Sequence, residues 1–157
     1  MAEINKGVTA CMNEMVSLPD ERLKYVSHEN EGTTIKIYVQ SIDEQATCPY
    51  CREMSSKVHS RYIRVLQDLP IQGNKVKLLI ENKKWFCLNK DCPHKTFAES
   101  FTFYEPNATK TKRLQEEILR VSLTQSSLSA TRYLRASVAD VGKSTICNML
   151  KKTRETN

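Results

Sequence analysis

Cys48-Pro-Tyr-Cys51 and Cys87-Leu-Asn-Lys-Asp-Cys92 are the two stretches that decide the fold of this chain. Each stretch is short enough for its two thiolates to bind one metal ion from a tight turn. Together they supply four thiolates, which is the complete ligand set of a tetrahedral structural zinc ion. We therefore predict one structural Zn²⁺ with no open coordination position for a substrate. Its ligands are Cys48, Cys51, Cys87 and Cys92.

Other roles for these cysteines and for the histidines are possible. A redox-active CxxC pair normally lies where a strand leads into a helix, and that context is absent here. His94 lies two residues after Cys92 and remains an alternative ligand. His59 is expected to pack within a strand. No catalytic residue is predicted, because no histidine is suggested as a base for the two remaining thiols, Cys11 and Cys147.

The composition is that of a soluble protein with a lean core. Of the 157 residues, 39% are apolar and 27% are charged. No apolar run approaches the roughly 20 residues needed to span a bilayer, and the N-terminus lacks the continuous hydrophobic stretch of a secretory signal. Six cysteines without an export signal favour a reducing compartment. We expect a cytoplasmic protein associated with the nucleoid, with no membrane partner.

The positive charge is concentrated toward the C-terminus. Residues 1–47 contain four Lys and Arg against eight Asp and Glu, a net charge of −4. Residues 48–105 have a net charge of +4 and residues 106–157 a net charge of +6. A basic surface of this kind favours a polyanion such as DNA, because neutralised phosphates release counterions. A basic surface that only confers solubility is the alternative.

Alternating apolar and polar residues predict β-strands around the cysteines. Strands are expected at residues 33–39, 57–66 and 75–82, because β-branched and aromatic residues alternate with polar ones there. Asp68-Leu69-Pro70 is expected to end the second strand, and Gln72-Gly73-Asn74 predicts a turn. The order of strands and cysteine pairs is that of a zinc ribbon.

Helical periodicity begins after Pro106. Leu114, Ile118 and Val121 predict a first helix with Thr109 or Thr111 as its N-cap. A second helix is predicted from Ser126 or Ser127 to about Leu134, with Leu128, Thr131 and Leu134 on one side, and a third from Ser144 to about Lys152. The predicted fold class is α+β, with an N-terminal β-rich zinc ribbon followed by a three-helix helix-turn-helix unit. The predicted divisions are a flexible or helical tail at 1–17, a ribbon domain at 18–105 and a helical domain at 106–157.

Gly142-Lys143-Ser144-Thr145 matches the end of a phosphate-binding P-loop, but nucleotide binding is not predicted. The full pattern needs a glycine where this chain has Ser137, and no strand precedes it. The same residues suit the start of a helix whose Lys143 contacts a DNA phosphate.

Double-stranded DNA is the predicted partner. An asparagine such as Asn148 can pair bidentately with adenine in the major groove. The alternative is a solvated helix that packs on another domain. The predicted DNA contacts are Lys143, Ser144, Thr145, Asn148, Lys151 and Lys152 in the last helix, and Arg61, Arg64, Lys83 and Lys84 in the ribbon, where Lys57 is also basic.

Taken together, these features resemble the ISL-three family of bacterial insertion-sequence transposases, over residues 18–152. The matching segments are Cys48–Cys51, Val58-His59-Ser60-Arg61-Tyr62, Asp68-Leu69-Pro70, Trp85–Cys92, Phe97-Ala98-Glu99, Ser127–Ala130 and Gly142–Thr145. The resemblance implies an N-terminal region that binds the terminal inverted repeats of the element. In the family an RNase H-like domain with three carboxylates and two divalent metals follows.

The resemblance implies the DNA-binding region without the catalytic domain, so an enzyme is not expected. After Glu105 the sequence contains only Glu116, Glu117, Asp140 and Glu155 as acidic residues, all near predicted helices, whereas two-metal strand transfer needs clustered carboxylates. A stand-alone transcriptional regulator and a protein-interaction module are the alternatives. A homodimer or a full-length transposase relative is a possible protein partner.

Overall fold

The computed structural model describes residues 16–155, so Cys11 and all but the last two residues of the predicted 1–17 tail lie outside the described part. The strands are β1 (Leu23–Glu31), β2 (Thr34–Ser41), β3 (Ala46–Thr47), β4 (Met54–Ser55), β5 (Val58–Ile71), β6 (Asn74–Phe86) and β7 (Thr96–Ala98). The helices are α1 (Lys112–Leu123), α2 (Ser127–Ser137) and α3 (Lys143–Glu155). None of these helices is long and apolar enough to span a bilayer.

Five strands form one sheet, and β3 and β4 form a separate two-stranded sheet. The order in the large sheet is β1-β2-β6-β5, with β7 paired to β6. The β5–β6 turn contains Gln72 at φ 50° and Gly73 at φ 78°. Two consecutive positive φ angles are typical of the two-residue type I′ hairpin turn, whose twist matches that of the strands. The turn predicted at Gln72-Gly73-Asn74 is therefore confirmed.

The predicted fold class is wrong. Within residues 16–155, five strands form the large sheet and the three named helices α1, α2 and α3 all follow it toward the C-terminus, and a helix-turn-helix unit is unsupported. The physical reason is that helical periodicity and a basic last helix predict only the presence of helices. They do not establish the crossing geometry that distinguishes a helix-turn-helix from any other group of three helices.

Two strand predictions also need correction. The strand β1 was not predicted, because Leu23 is its only buried residue and Ser27–Glu31 is polar and exposed, so no alternation marks it. The strand β5 does not end at Asp68-Leu69-Pro70 but continues to Ile71. In sheets, proline is confined largely to edge strands, strand ends and bulges, and Pro70 lies one residue before the end of β5.

The chain divides into two compact units. Unit 1 comprises residues up to Ser27, Ile37–Val65 and Leu79–Thr102, and unit 2 comprises His28–Lys36, Leu66–Leu78 and the chain from Phe103 onward. The domain boundary predicted near residue 106 stays a prediction.

Unit 1 contains a buried carboxylate that anchors its strands. Glu99 accepts hydrogen bonds from Ser41 Oγ and, at 3.1 Å, from the Lys83 backbone N–H. Burial raises the pKa of the Glu99 carboxyl above its ordinary value. Because burial disfavours the charged form, these hydrogen bonds only partly offset its desolvation.

The three helices enclose the core of unit 2. The predicted inward positions Leu114, Ile118 and Val121 are buried on α1, and Leu134 and Ile146 are buried on α2 and α3. Leu128, which was placed on the same side of α2 as Leu134, is 52% exposed. The core cluster comprises Leu114, Ile118, Val121, Ala130, Leu134, Val138, Ala139, Val141 and Ile146, with Leu69, Met149 and Leu150 packed against it.

Asp68 ties the start of α1 to strand β5 within unit 2. Its buried carboxylate accepts hydrogen bonds from Thr111 Oγ1 at 2.7 Å and from Arg113 Nε at 2.8 Å, and it also contacts Arg113 Nη2. Thr111 is the N-cap of α1, and its Oγ1 accepts from the Leu114 backbone N–H. One carboxylate therefore fixes the cap and a first-turn side chain of the helix.

Candidate metal centre

The first cysteine pair lies in the tight turn between β3 and β4, which we call the first knuckle (residues 48–53). In this hairpin Ala46 pairs with Ser55 and Thr47 pairs with Met54. The Cys48 backbone N–H donates to the Glu53 carbonyl at 2.8 Å, and Arg52 adopts a left-handed φ of 64°. This closed turn directs the Cys48 and Cys51 thiols to the same side.

The second cysteine pair lies between β6 and β7, in the second knuckle (residues 87–95). Trp85 pairs with Phe97 just before this turn, and the Cys87 backbone N–H donates to the Lys95 carbonyl at 2.9 Å. Lys95 Nζ donates to the carbonyls of Lys90 and Cys92. Each knuckle thus closes its own short hairpin, as the zinc-ribbon order predicts.

All four predicted ligand atoms come together. The Sγ atoms of Cys48, Cys51, Cys87 and Cys92 lie within 4.8 Å of one another. The distance from Cys51 Sγ to Cys87 Sγ is 3.5 Å, and all four cysteines are free thiols. A tetrahedral zinc ion with Zn–S bonds of about 2.3 Å separates its sulfurs by about 3.8 Å. The cluster therefore fits one structural Zn²⁺, and the prediction of this cofactor is confirmed.

The site is closed on its inner side by apolar side chains. Cys48 and Cys92 are buried, and Trp85 and Phe97 form one cluster with them. Four protein thiolates complete the zinc coordination, so no position remains for a substrate or an activated water. Metal bound here would hold the two knuckles together.

Hydrogen bonding and burial move the thiol pKa values in opposite directions. The Glu53 backbone N–H donates to the Cys51 thiolate and lowers the pKa of Cys51 to about 7. Burial raises the pKa of Cys87 to about 12 and also raises the pKa of Cys92. Because zinc binds thiolates, its binding must displace protons from the thiols of Cys87 and Cys92, and acid opposes zinc binding.

His94 is not among the clustered ligand atoms in the described residues. Its ring stacks on the Tyr50 ring, with the centroids 3.5 Å apart and the planes at 12°. Tyr50 belongs to the first knuckle and His94 to the second. Sequence reasoning missed this contact because it forms only when the two knuckles meet.

The predicted contacts in the last helix lie on α3 of unit 2 and are exposed. They are Lys143, Ser144, Thr145, Asn148, Lys151 and Lys152. Ile146 is buried and Met149 and Leu150 pack against the core, which turns the polar residues outward. Cys147 is half-buried on the same helix.

The predicted contacts in the ribbon lie in unit 1 and differ in their environments. Arg61 is exposed, with its Nε 3.3 Å from Glu81 Oε1, while Arg64 and Lys84 are half-buried. Lys83 is buried and its Nζ donates to the carbonyls of Ser41 and Asp43. Sequence alternation did not reveal this, because Asn82 and Lys83 are consecutive residues of β6 and both are buried.

Residues 44–92 match the family of zinc fingers of the transposases IS204, IS1001, IS1096 and IS1165. The matched segment contains both cysteine pairs. This segment is similar to a transposase zinc ribbon. The match supports the ribbon part of the ISL-three resemblance and does not extend to α1, α2 or α3. Comparisons with curated proteins and with solved structures found no match.

Proposed function

We propose that the protein is a zinc-stabilised, sequence-specific DNA-binding protein related to the part of an insertion-sequence transposase that binds terminal inverted repeats. The observation that supports this most strongly is the four-cysteine cluster inside a segment that matches a transposase zinc-ribbon family. The closed zinc site has a structural role, so the proposal assigns it no catalytic step.

The distribution of charge supports a polyanionic partner. Residues 48–105 and 106–157 have net charges of +4 and +6, whereas residues 1–47 have a net charge of −4. Lys143 and Lys151 are exposed on α3, where phosphates can approach their ammonium groups. Neutralising phosphates in this way supplies affinity that falls steeply as salt increases.

The proposed contacts divide into two kinds. Phosphates are contacted by the basic residues Lys143, Lys151, Lys152, Arg61, Arg64 and Lys84, with Ser144 assisting at the start of α3. Base edges are contacted by Thr145 and Asn148, since asparagine can form two hydrogen bonds to adenine. Lys83 is left out, because its ammonium is bonded to backbone carbonyls. None of these assignments requires a helix-turn-helix geometry.

Selection of binding sites from a random duplex library, followed by fluorescence anisotropy at several salt concentrations, tests the proposal. Lys143→Ala should weaken binding to all sequences and lower the slope of log K against log salt by about 0.9. Asn148→Ala should reduce the preference for the selected sequence by about 1–3 kcal/mol. Lys24→Ala, which removes an exposed lysine from the acidic segment, is the matched control. Salt-insensitive or undetectable binding would reject the proposal.

A protein-interaction role is the second candidate function. Ile63 and Val65 are about half exposed on β5, the last strand in the sheet order. Exposed apolar residues on an edge strand favour pairing with another protein chain. Weak, salt-insensitive DNA binding together with stable self-association would favour this candidate over the first.

A further inference from the structure

We propose that the stacked rings of Tyr50 and His94 form a platform for a nucleobase that is not stacked in a duplex. Such bases occur in a single strand that extends from a duplex end. The inference rests on the proposed DNA-binding function and assigns a specific contact to the zinc ribbon.

The platform is built from both knuckles. Tyr50 lies between the ligands Cys48 and Cys51, and His94 follows the ligand Cys92 by two residues. Their ring centroids are 3.5 Å apart and their planes are nearly parallel, at 12°. Because each ring belongs to a knuckle that contributes two of the four metal ligands, bound zinc would hold the pair in place before any partner arrives. A preordered surface loses little conformational entropy on binding.

The Tyr50 side of the platform is exposed to solvent. Tyr50 is 57% exposed although His94 covers one face of its ring. The ring edge and the face opposite His94 are the parts of the ring that this stacking leaves uncovered. Leu88, in the second knuckle, is also about half exposed. A flat apolar surface left in water gains free energy when another flat ring covers it.

The charges of the two knuckles nearly balance, so stacking on the rings and not attraction to phosphate is the main source of affinity at this point. The exposed cations of the knuckles, Arg52 and Lys90, are accompanied by the exposed acids Glu53 and Asp91. The ammonium of Lys95 is bonded to backbone carbonyls. A strand can therefore approach without strong repulsion, but the ring contact must supply most of the binding energy at this point.

A nucleobase is the chemical class that matches this surface. Bases stack on exposed aromatic rings in proteins that bind single strands, with little dependence on sequence, because every base has a π-face. Bases inside a duplex have both faces covered by neighbours. The platform should therefore discriminate between an extended and a blunt duplex of the same sequence.

The test uses the full zinc-loaded chain and two probes with the same duplex. One probe is blunt, and the other has a single-stranded extension that contains the fluorescent base 2-aminopurine. Stacking should quench 2-aminopurine fluorescence, and Tyr50→Ala should abolish the quenching. The variant should bind the extended duplex about tenfold more weakly or worse, with no change for the blunt duplex. Tyr50→Phe should retain both quenching and affinity.

Two further variants keep the result interpretable. His94→Ala removes the second ring without altering a cysteine and should also reduce quenching. Tyr133→Ala removes a tyrosine that is about half exposed in unit 2 and should change neither signal. The zinc content of each variant is measured first. If Tyr50→Ala binds each probe as tightly as the parent does, the platform is overturned and the DNA-binding function stands. Failure of the parent to bind either probe overturns the DNA-binding function as well.

Discussion

Replacing Asp68 with alanine removes the carboxylate that fixes the start of α1 in unit 2. This carboxylate is 3% exposed and accepts from Thr111 Oγ1, Arg113 Nε and Arg113 Nη2. Removing one partner from a fully buried charge pair costs about 3–5 kcal/mol. Arg113 is 32% exposed, so water can partly solvate its freed guanidinium. We therefore expect a loss of about 2–3 kcal/mol in the free energy of unfolding.

Urea denaturation followed by circular dichroism at the helix band measures this loss. Asp140→Ala is the matched control, because Asp140 also forms an ion pair within unit 2, with Lys75 Nζ at 2.8 Å. The Asp140 side chain is 61% exposed, so its loss should cost no more than about 1 kcal/mol. If Asp68→Ala were no more destabilising than Asp140→Ala, the assignment of Asp68 as the anchor of α1 would be wrong.

Two further predictions concern unit 1. Burial raises the pKa of Glu99 above its ordinary value. Between these two pKa values the folded protein retains a proton that the unfolded chain has lost, so the free energy of unfolding falls as pH rises through that range. Glu99→Gln should flatten that part of the pH profile of the melting temperature, and an unchanged profile would contradict the assignment. Lys83→Ala should lower the free energy of unfolding by about 2 kcal/mol, because the carbonyls of Ser41 and Asp43 lose a charged donor. The salt slope of DNA binding should stay the same in this variant, and a lower slope would show that Lys83 contacts phosphate.

The metal site was predictable because its information is local. Two cysteine pairs with short spacings specify two tight turns, and four thiolates specify the metal, without knowledge of the rest of the fold. The stacking of His94 on Tyr50 was not predictable, because it depends on how the metal brings the two knuckles together.

Helices were predicted better than the architecture. Apolar spacing located α1, α2 and α3, since burial of one helix face leaves a clear period in the sequence. The spacing did not reveal that Leu128 is exposed, because a single apolar residue near a helix start can be exposed without a large cost. The strand β1 was missed because most of its residues are exposed and leave no alternation in the sequence. The helix-turn-helix prediction was wrong because periodicity does not encode the geometry with which helices pack.

Metal analysis and X-ray absorption spectroscopy of freshly purified protein test the central assignment most directly. The structure predicts one zinc ion per chain with four sulfur neighbours at about 2.3 Å. Cys48→Ser should lower zinc retention, and a strong chelator should unfold the ribbon. Protein without zinc, or zinc with three sulfurs and one nitrogen from His94, would contradict the four-cysteine site.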